Sequence, residues 1–233
     1  MLNFNDYLDN EEAINEGVYD KNIFKAFFLA GGPGSGKSWV SARTLMGQGM
    51  KVINSDDGFE RYAKQAGLDL KKMGSFTAAQ TKKKDALRSR AKVGTAYMHQ
   101  HAIDGRLGMI LDSTARDTAR IESEAQSMRY LGYDTYMVFV NTTLEVALKR
   151  NEMRPRSVPE PIVINSHRQI QKNIPKLRAI FGSKNFVEVD NSVEAEDVNI
   201  KVYKEIQKLV RSKPTSPMAQ AWIDNELAKK DAK

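Results

Sequence analysis

The sequence predicts an α/β fold in which a parallel sheet lies between helices, and three observations lead there. Short apolar runs alternate with longer stretches of helical period along most of the chain. The first run, Phe24–Ala30, ends directly in glycines, as a buried parallel strand feeding a tight turn does. The chain has 233 residues and no cysteine, which is enough length for one core and leaves no means of stapling it. The missing thiols exclude a disulfide partner, thiolate catalysis and cysteine-held zinc. No apolar stretch reaches the roughly 18 residues of a membrane span, and the N-terminus lacks the basic-then-apolar order of a signal peptide. A soluble, cytoplasmic protein with no membrane partner is therefore expected.

Each element has its own signal. After the strand at 24–30, a helix is expected from Lys37 to about Gly47, where Gly47 and Gly49 stop it. Lys51–Asn54 reads as a second strand and Phe59–Ala66 as a helix ended by Gly67. Thr77 to about Ile103 reads as a long helix broken near Gly94. Strands at Leu107–Leu111, Thr135–Val140 and Phe186–Val189 are separated by helices at Asp117–Leu131, Thr143–Asn151 and His167–Phe181. Pro155, Pro159 and Pro161 force a loop before the last of these helices, and Pro175 disturbs its middle. Ala195–Arg211 closes the core. The domain expected is 24–211, with a helical lid at about 150–180, an acidic extension at 1–23 and an appendage at 212–233.

The strongest string is Gly31-Gly32-Pro33-Gly34-Ser35-Gly36-Lys37-Ser38, a full match to the phosphate-binding loop pattern G-x-x-x-x-G-K-[ST]. Its glycines let successive N–H groups turn inward at a helix N-terminus and cradle phosphate oxygens. Lys37 can reach the β- and γ-phosphates, and the Ser38 hydroxyl can hold Mg²⁺. With a strand before and a helix after, the string predicts a P-loop kinase or NTPase that binds ATP or another nucleoside triphosphate.

The acceptor side is read from strand ends, which face the ligand crevice in a parallel sheet. Ile53-Asn54-Ser55-Asp56-Asp57 offers two acids there. Asp56 is assigned to taking the proton of an attacking hydroxyl, and Asp57 to capping the helix that follows. Met109-Ile110-Leu111-Asp112 has the form of a strand carrying its acid to the metal, and a cap for the next helix is the alternative. Arg150, Arg154 and Arg156 lie at a helix end and in the proline-rich loop. They suit either the charge of a transferring phosphoryl group or the helix dipole.

Charge suggests the partner. Residues 1–20 hold six acids and no base, which leaves 36 bases against 23 acids in the remainder, or +13. Eight bases between Lys71 and Lys92 face one acid, and Lys82, Lys83, Lys84 and Arg88 are candidates for binding an anionic acceptor such as nucleic acid. The three histidines show no ligand spacing and read as surface or packing residues. A motor ATPase or a nucleotide-binding regulator without catalysis remains the alternative from another class.

Taken in order and spacing, the loop, Asn54-Ser55-Asp56-Asp57, Thr81–Asp85, Leu111-Asp112-Ser113-Thr114 and Lys149-Arg150-Asn151…Arg154 resemble the kinase domain of bacteriophage 5′-polynucleotide kinase. They are also similar to zeta-toxin-like kinases and to phage kinases of hydroxymethylated DNA bases, over about residues 24–190. The resemblance implies that Asp56 is the general base and that Lys37, Arg150 and Arg154 are the phosphate and transition-state cations. It implies that Asp112 supports the loop or the metal. Polynucleotide kinase carries an arginine just after the two acids, and here that position is Phe59. No D-x-D pair occurs, so no dehalogenase-type phosphatase is expected. Zeta toxins add the alternative of a nucleotide or nucleotide sugar as acceptor.

Overall fold

A computed structural model describes residues 17–45, 48–153, 158–193 and 196–232, the backbone alone for 196–199. Five strands, β1 (Lys25–Gly31), β2 (Lys51–Ile53), β3 (Met109–Ser113), β4 (Asp134–Asn141) and β5 (Phe186–Asp190), form one parallel sheet. Their order is β2-β3-β1-β4-β5, with β1 in the centre. All seven residues of β1 are buried, as expected for a strand covered on both faces.

The helices are α1 (Lys37–Thr44), α2 (Ser55–Gln65), α3 (Ala78–Asp104), α4 (Thr118–Tyr130), α5 (Leu144–Glu152), α6 (Glu160–Phe181), α7 (Glu196–Arg211) and α8 (Pro217–Asp231). Alternation along β1 divides the core in two. Phe27 and Leu29 face α1 and α7, where Val40, Val202, Ile206 and Val210 complete one cluster. Phe24, Ala26 and Phe28 face the other way, toward Ile121 and Ala125 of α4, Ile170, Leu177 and Phe181 of α6, and Ala219 of α8.

Several boundaries depart from the sequence reading, each for a local reason. α2 begins at Ser55 rather than Phe59, because Asn54 is its N-cap: the Asn54 side chain accepts from the Asp56 N–H. Asp57 is therefore not the cap. α3 runs unbroken through Gly94. It is started by a capping box between Thr77 and Gln80, and one exposed glycine costs only about 1 kcal/mol. α6 begins at Glu160, since a proline in the first turn gives up an N–H that has no partner in any case. From there α6 is seated in the core, with Val163, Ile170 and Leu177 buried. The segment expected to be a lid packs against the core from residue 160 onward.

The 212–232 segment also packs. α8 buries Ala219 and sets Trp222 edge-on to Phe24, with ring centroids 5.6 Å apart. Its approach is fixed by Lys25, fully buried, whose ammonium donates to Asp134 (2.9 Å), Tyr136 Oη (3.2 Å) and Ser212 Oγ (3.0 Å). A buried ammonium needs partners of this kind. Asp134 also accepts from the Thr215 backbone. Residues 1–16 of the acidic extension lie outside the described residues. Gly17–Tyr19 is a short 3₁₀ turn, and Lys230 lies over the Tyr19 ring. No described helix is long and apolar enough to cross a membrane.

Trp222→Ala should cost about 2 kcal/mol, less than for a fully buried tryptophan because this ring is only partly buried. Calorimetry should then show Tm about 4–8 °C lower, and Tyr130→Ala, at an exposed position, should leave Tm nearly unchanged. Equal Tm in the two variants would contradict the docking of α8.

Candidate active site

The register of the sheet decides which side chains meet. Leu29 pairs with Asp112 and Ile53 with Leu111, so Asp112 stands beside the end of β1 and Asn54 beside Asp112. On the other side Gly31 pairs with Val140, and Asn141 with Asp190, which brings the end of β5 level with the loop.

The loop 31–38 turns as its glycines demand. Gly34 and Gly36 have φ of 76° and 84°, in the left-handed region. A Cβ on Gly34 would strike the Ala147 carbonyl oxygen, and one on Gly36 would strike the Asn191 side chain. Pro33 lies in the turn just before Gly34, and Gly32 leaves room for Ile170. Ser35 Oγ is buried without a hydrogen-bond partner, and Ser38 is exposed at the start of α1. A glycine-only cradle with an orphan hydroxyl at a helix N-terminus fits a bound phosphate chain.

Lys37 ties the loop to β3. Its ammonium is 3.1 Å from Asp112 Oδ1 and donates to the Ser113 carbonyl at 2.8 Å. Asp112 Oδ2 accepts from Asn54 Nδ2 at 3.1 Å. The helix after β3 is capped by Asp117, not by Asp112, which leaves Asp112 to the crevice. Just beyond, Ala115 has a φ of 58°, unusual for a residue with a Cβ, and Asn173 of α6 holds this turn by donating to the Ala115 and Arg116 carbonyls.

Asp56 lies in the first turn of α2 with its side chain about half-exposed, and Arg88 Nη1 is 2.8 Å from its Oδ1. Arg88 comes from α3, and its guanidinium lies 4.9 Å above the ring of buried Phe59. Phe59 marked the loss of an arginine in the sequence. Arg88 brings a guanidinium to Phe59 and Asp56 from another helix.

The remaining basic candidates lie elsewhere. Lys83 donates to the Ala66 carbonyl at the far end of α2, about 15 Å along the helix from Asp56 at 1.5 Å per residue. Lys84 pairs with Asp85 at 3.0 Å, and Lys82 is exposed. Arg150 reaches the loop's edge, where its Nη1 donates to the Asn191 carbonyl at 2.7 Å. Arg154 lies outside the described residues. Among the described residues no cluster of three acids or histidines could hold a metal, so the candidate metal ligands remain Ser38 and Asp112.

Sequence reasoning missed Asn191 and Asn151. Asn191, buried after β5, donates to the Ser35 carbonyl at 2.8 Å while its own carbonyl takes Arg150. The turn carrying it is fixed by Ser192, whose hydroxyl and N–H hydrogen-bond to Asp190 and hold that carboxyl below the usual range. Asn151, also buried, donates to the Val158 carbonyl and accepts from the Val158 N–H, which ties the end of α5 to the chain just before α6. Asn191 stands alone at a strand end and gives no pattern by which it could be found, whereas Asn151 stands in the Lys149-Arg150-Asn151…Arg154 string, where no role fell to it. His167 is no ligand; its ring bonds to the Thr142 carbonyl.

Known proteins share this architecture. One component of the AvrRxo1-ORF1:AvrRxo1-ORF2 complex, determined with sulphate ions, superposes with a TM-score of 0.54 at 14% identity, covering 95% of this chain and 83% of that one. A chain of the PezAT chromosomal toxin–antitoxin system of Streptococcus pneumoniae gives 0.51 at 15% identity, covering 89% and 93%. A candidate kinase from Chloroflexus aurantiacus gives 0.50 at 14%, covering 80% and 96%. At such identities the likeness is one of fold. Among curated proteins none matches. The profile of the Zeta toxin family matches residues 20–214, from the turn before β1 through α7, and this P-loop chain of kinase type belongs to that family.

Proposed function

We propose that this protein is an ATP- and Mg²⁺-dependent kinase that moves the γ-phosphoryl group to a hydroxyl of a nucleic acid, at a 5′ end or on a hydroxymethylated base. The observation that carries the kinase reading is the chain of contacts Lys37–Asp112–Asn54, which ends on the backbone N–H of Asp56 and so sets that residue, with its solvent-accessible carboxylate, at the strand ends beside the phosphate loop. A carboxylate there can take the proton of an acceptor hydroxyl, whereas a switch or motor would use one only toward water.

The residues divide the work. The N–H groups of the loop and Lys37 bind the donor's phosphates. Asp56 accepts a hydrogen bond from the acceptor hydroxyl and takes its proton as the oxygen bonds to the γ-phosphorus and the bond to the bridging oxygen breaks. Lys37 and Arg150, with Arg154 as a further cation, offset the charge of the transferring group. Mg²⁺, held by Ser38 and Asp112, would supply further charge neutralisation on the phosphates.

The nucleic-acid acceptor is favoured by the +13 charge of residues 21–233 and by the exposed Lys82, Arg90 and Lys92 of α3. A second reading, a nucleotide or nucleotide sugar as acceptor, is favoured by the engagement of Lys83 at the far end of α2 and of Lys84 with Asp85.

With γ-labelled ATP, Lys37→Ala should lower transfer by about 10²–10³. Asp56→Asn should lower it by about 10²–10⁴ with ATP affinity retained. Asp57→Asn, at an exposed position, should stay within about threefold of the parent. Asp57→Asn proving the more damaging would move the base by one residue.

Offered a 5′-hydroxyl oligonucleotide, hydroxymethylated DNA, nucleoside monophosphates and a nucleotide sugar, the protein should label one of the two polymers. That activity should fall steeply between about 50 and 200 mM salt. Changing Lys82, Lys83 and Lys84 together to Glu should raise the polymer's KM and flatten the salt slope. Label confined to a small acceptor, with a weak salt response, would select the second reading.

A further inference from the structure

Arg88 and Asp56 form an ion pair that occupies one oxygen of the proposed base. Asp56 Oδ1, the proton acceptor proposed above, is held at 2.8 Å by Arg88 Nη1. A hydroxyl oxygen must reach that carboxylate to hand over its proton. The side chains are 36% and 54% exposed, so solvent and small anions reach both. Exposed ion pairs are weak and easily exchanged. The guanidinium is not loose, however. It rests on the ring of Phe59, which is 2% exposed, and Arg88 belongs to the inner row of α3 that includes the buried Ala91 and the partly buried Thr95. Thr95 Oγ1 approaches the Asn54 carbonyl at 3.4 Å, so this row follows α2 up to its N-cap. The guanidinium therefore has a fixed aromatic seat and one replaceable partner, and its fork suits a phosphate better than a single carboxylate oxygen.

We propose that Arg88 is the binding residue for a phosphate group on the acceptor, and that it exchanges partners: it leaves Asp56 for that phosphate as the acceptor's hydroxyl takes its place on the carboxylate. The proposal rests on the kinase reading and names the chemistry of the acceptor, a hydroxyl with a phosphoester close by. A nucleic acid and a nucleotide sugar both satisfy it. In the step itself the hydroxyl proton passes to Asp56, the hydroxyl oxygen forms the new bond to phosphorus, and ADP departs with the electrons of the broken bond. Arg88 stays charged throughout. An acceptor without the phosphate leaves the guanidinium on Asp56 Oδ1, competing with the hydroxyl for the base, so recognition and activation share one side chain.

The test is calorimetric titration of the full chain with pyrophosphate, in the presence of saturating β,γ-methylene-ATP and Mg²⁺ to occupy the donor site. Pyrophosphate should bind the parent protein, and Arg88→Met should weaken it about tenfold to a hundredfold. Arg88→Lys, which keeps the charge without the fork, should fall between. Asp56→Asn should tighten pyrophosphate about twofold to fivefold by removing the competing partner, and that gain should shrink in the double variant with Arg88→Met. Circular dichroism and Tm identify any variant that has lost its fold, and Arg88→Lys then carries the comparison. Equal affinity in the parent and both Arg88 variants would overturn the proposal, as would no effect of Asp56→Asn. Failure of the ATP analogue to bind would instead sink the kinase reading itself. Competition distinguishes the two sources of phosphate. An oligonucleotide that displaces pyrophosphate with a steep salt dependence marks a polymer, and displacement by a nucleotide sugar at any salt marks a small molecule.

Discussion

The contact between Lys37 and Asp112 is the one on which the rest of the site depends. It joins the helix that follows the loop to the end of β3, and it exists because the parallel register sets Leu29 beside Asp112. Through Asp112 Oδ2 it reaches Asn54, and through Asn54 the first turn of α2. Three strand ends are thereby locked to one another by side chains and by backbone pairing. Parallel sheets gather all their C-terminal ends on one edge, which is why a few short polar bridges suffice to build a site there.

The two halves of the site are built differently. The donor half is enclosed: β1 is fully buried, and Gly34 and Gly36 admit no side chain between the loop and its neighbours. The half we propose for the acceptor rests on α2 and α3, which meet through cations on aromatic faces, Arg88 on Phe59 and Arg90 on Tyr62, and through Lys83 on a helix-terminal carbonyl. Contacts of this sort tolerate exchange far better than a close-packed core does. Selection can thus retune the acceptor without disturbing the grip on the nucleotide.

How much could be read in advance follows the same division. The loop, the acids at the ends of β2 and β3 and the alternation of strands and helices are local strings, and they were legible. Helix starts were harder where two caps compete: Asn54 and Asp57 both suit the role, and only the hydrogen bond to the Asp56 N–H decides between them. Prolines misled twice. Pro161 and Pro217 lie in the first turns of α6 and α8, where a missing N–H costs nothing, yet in a bare sequence they read as breaks. The meeting of Arg88 with Asp56 was beyond reach, because it depends on how α3 returns along α2.

Asn151 has a wider implication. By exchanging two hydrogen bonds with Val158 it acts as a short piece of strand partner, and it ties the end of α5 to the chain just before α6. A tie of that kind holds the two chain ends it joins together whatever connects them. Closing a longer excursion on such a clasp costs little more than closing a short one, since loop entropy grows only with the logarithm of length. The place between residues 151 and 158 is therefore a natural port: descent or engineering can exchange, extend or shorten its contents while the frame keeps its shape.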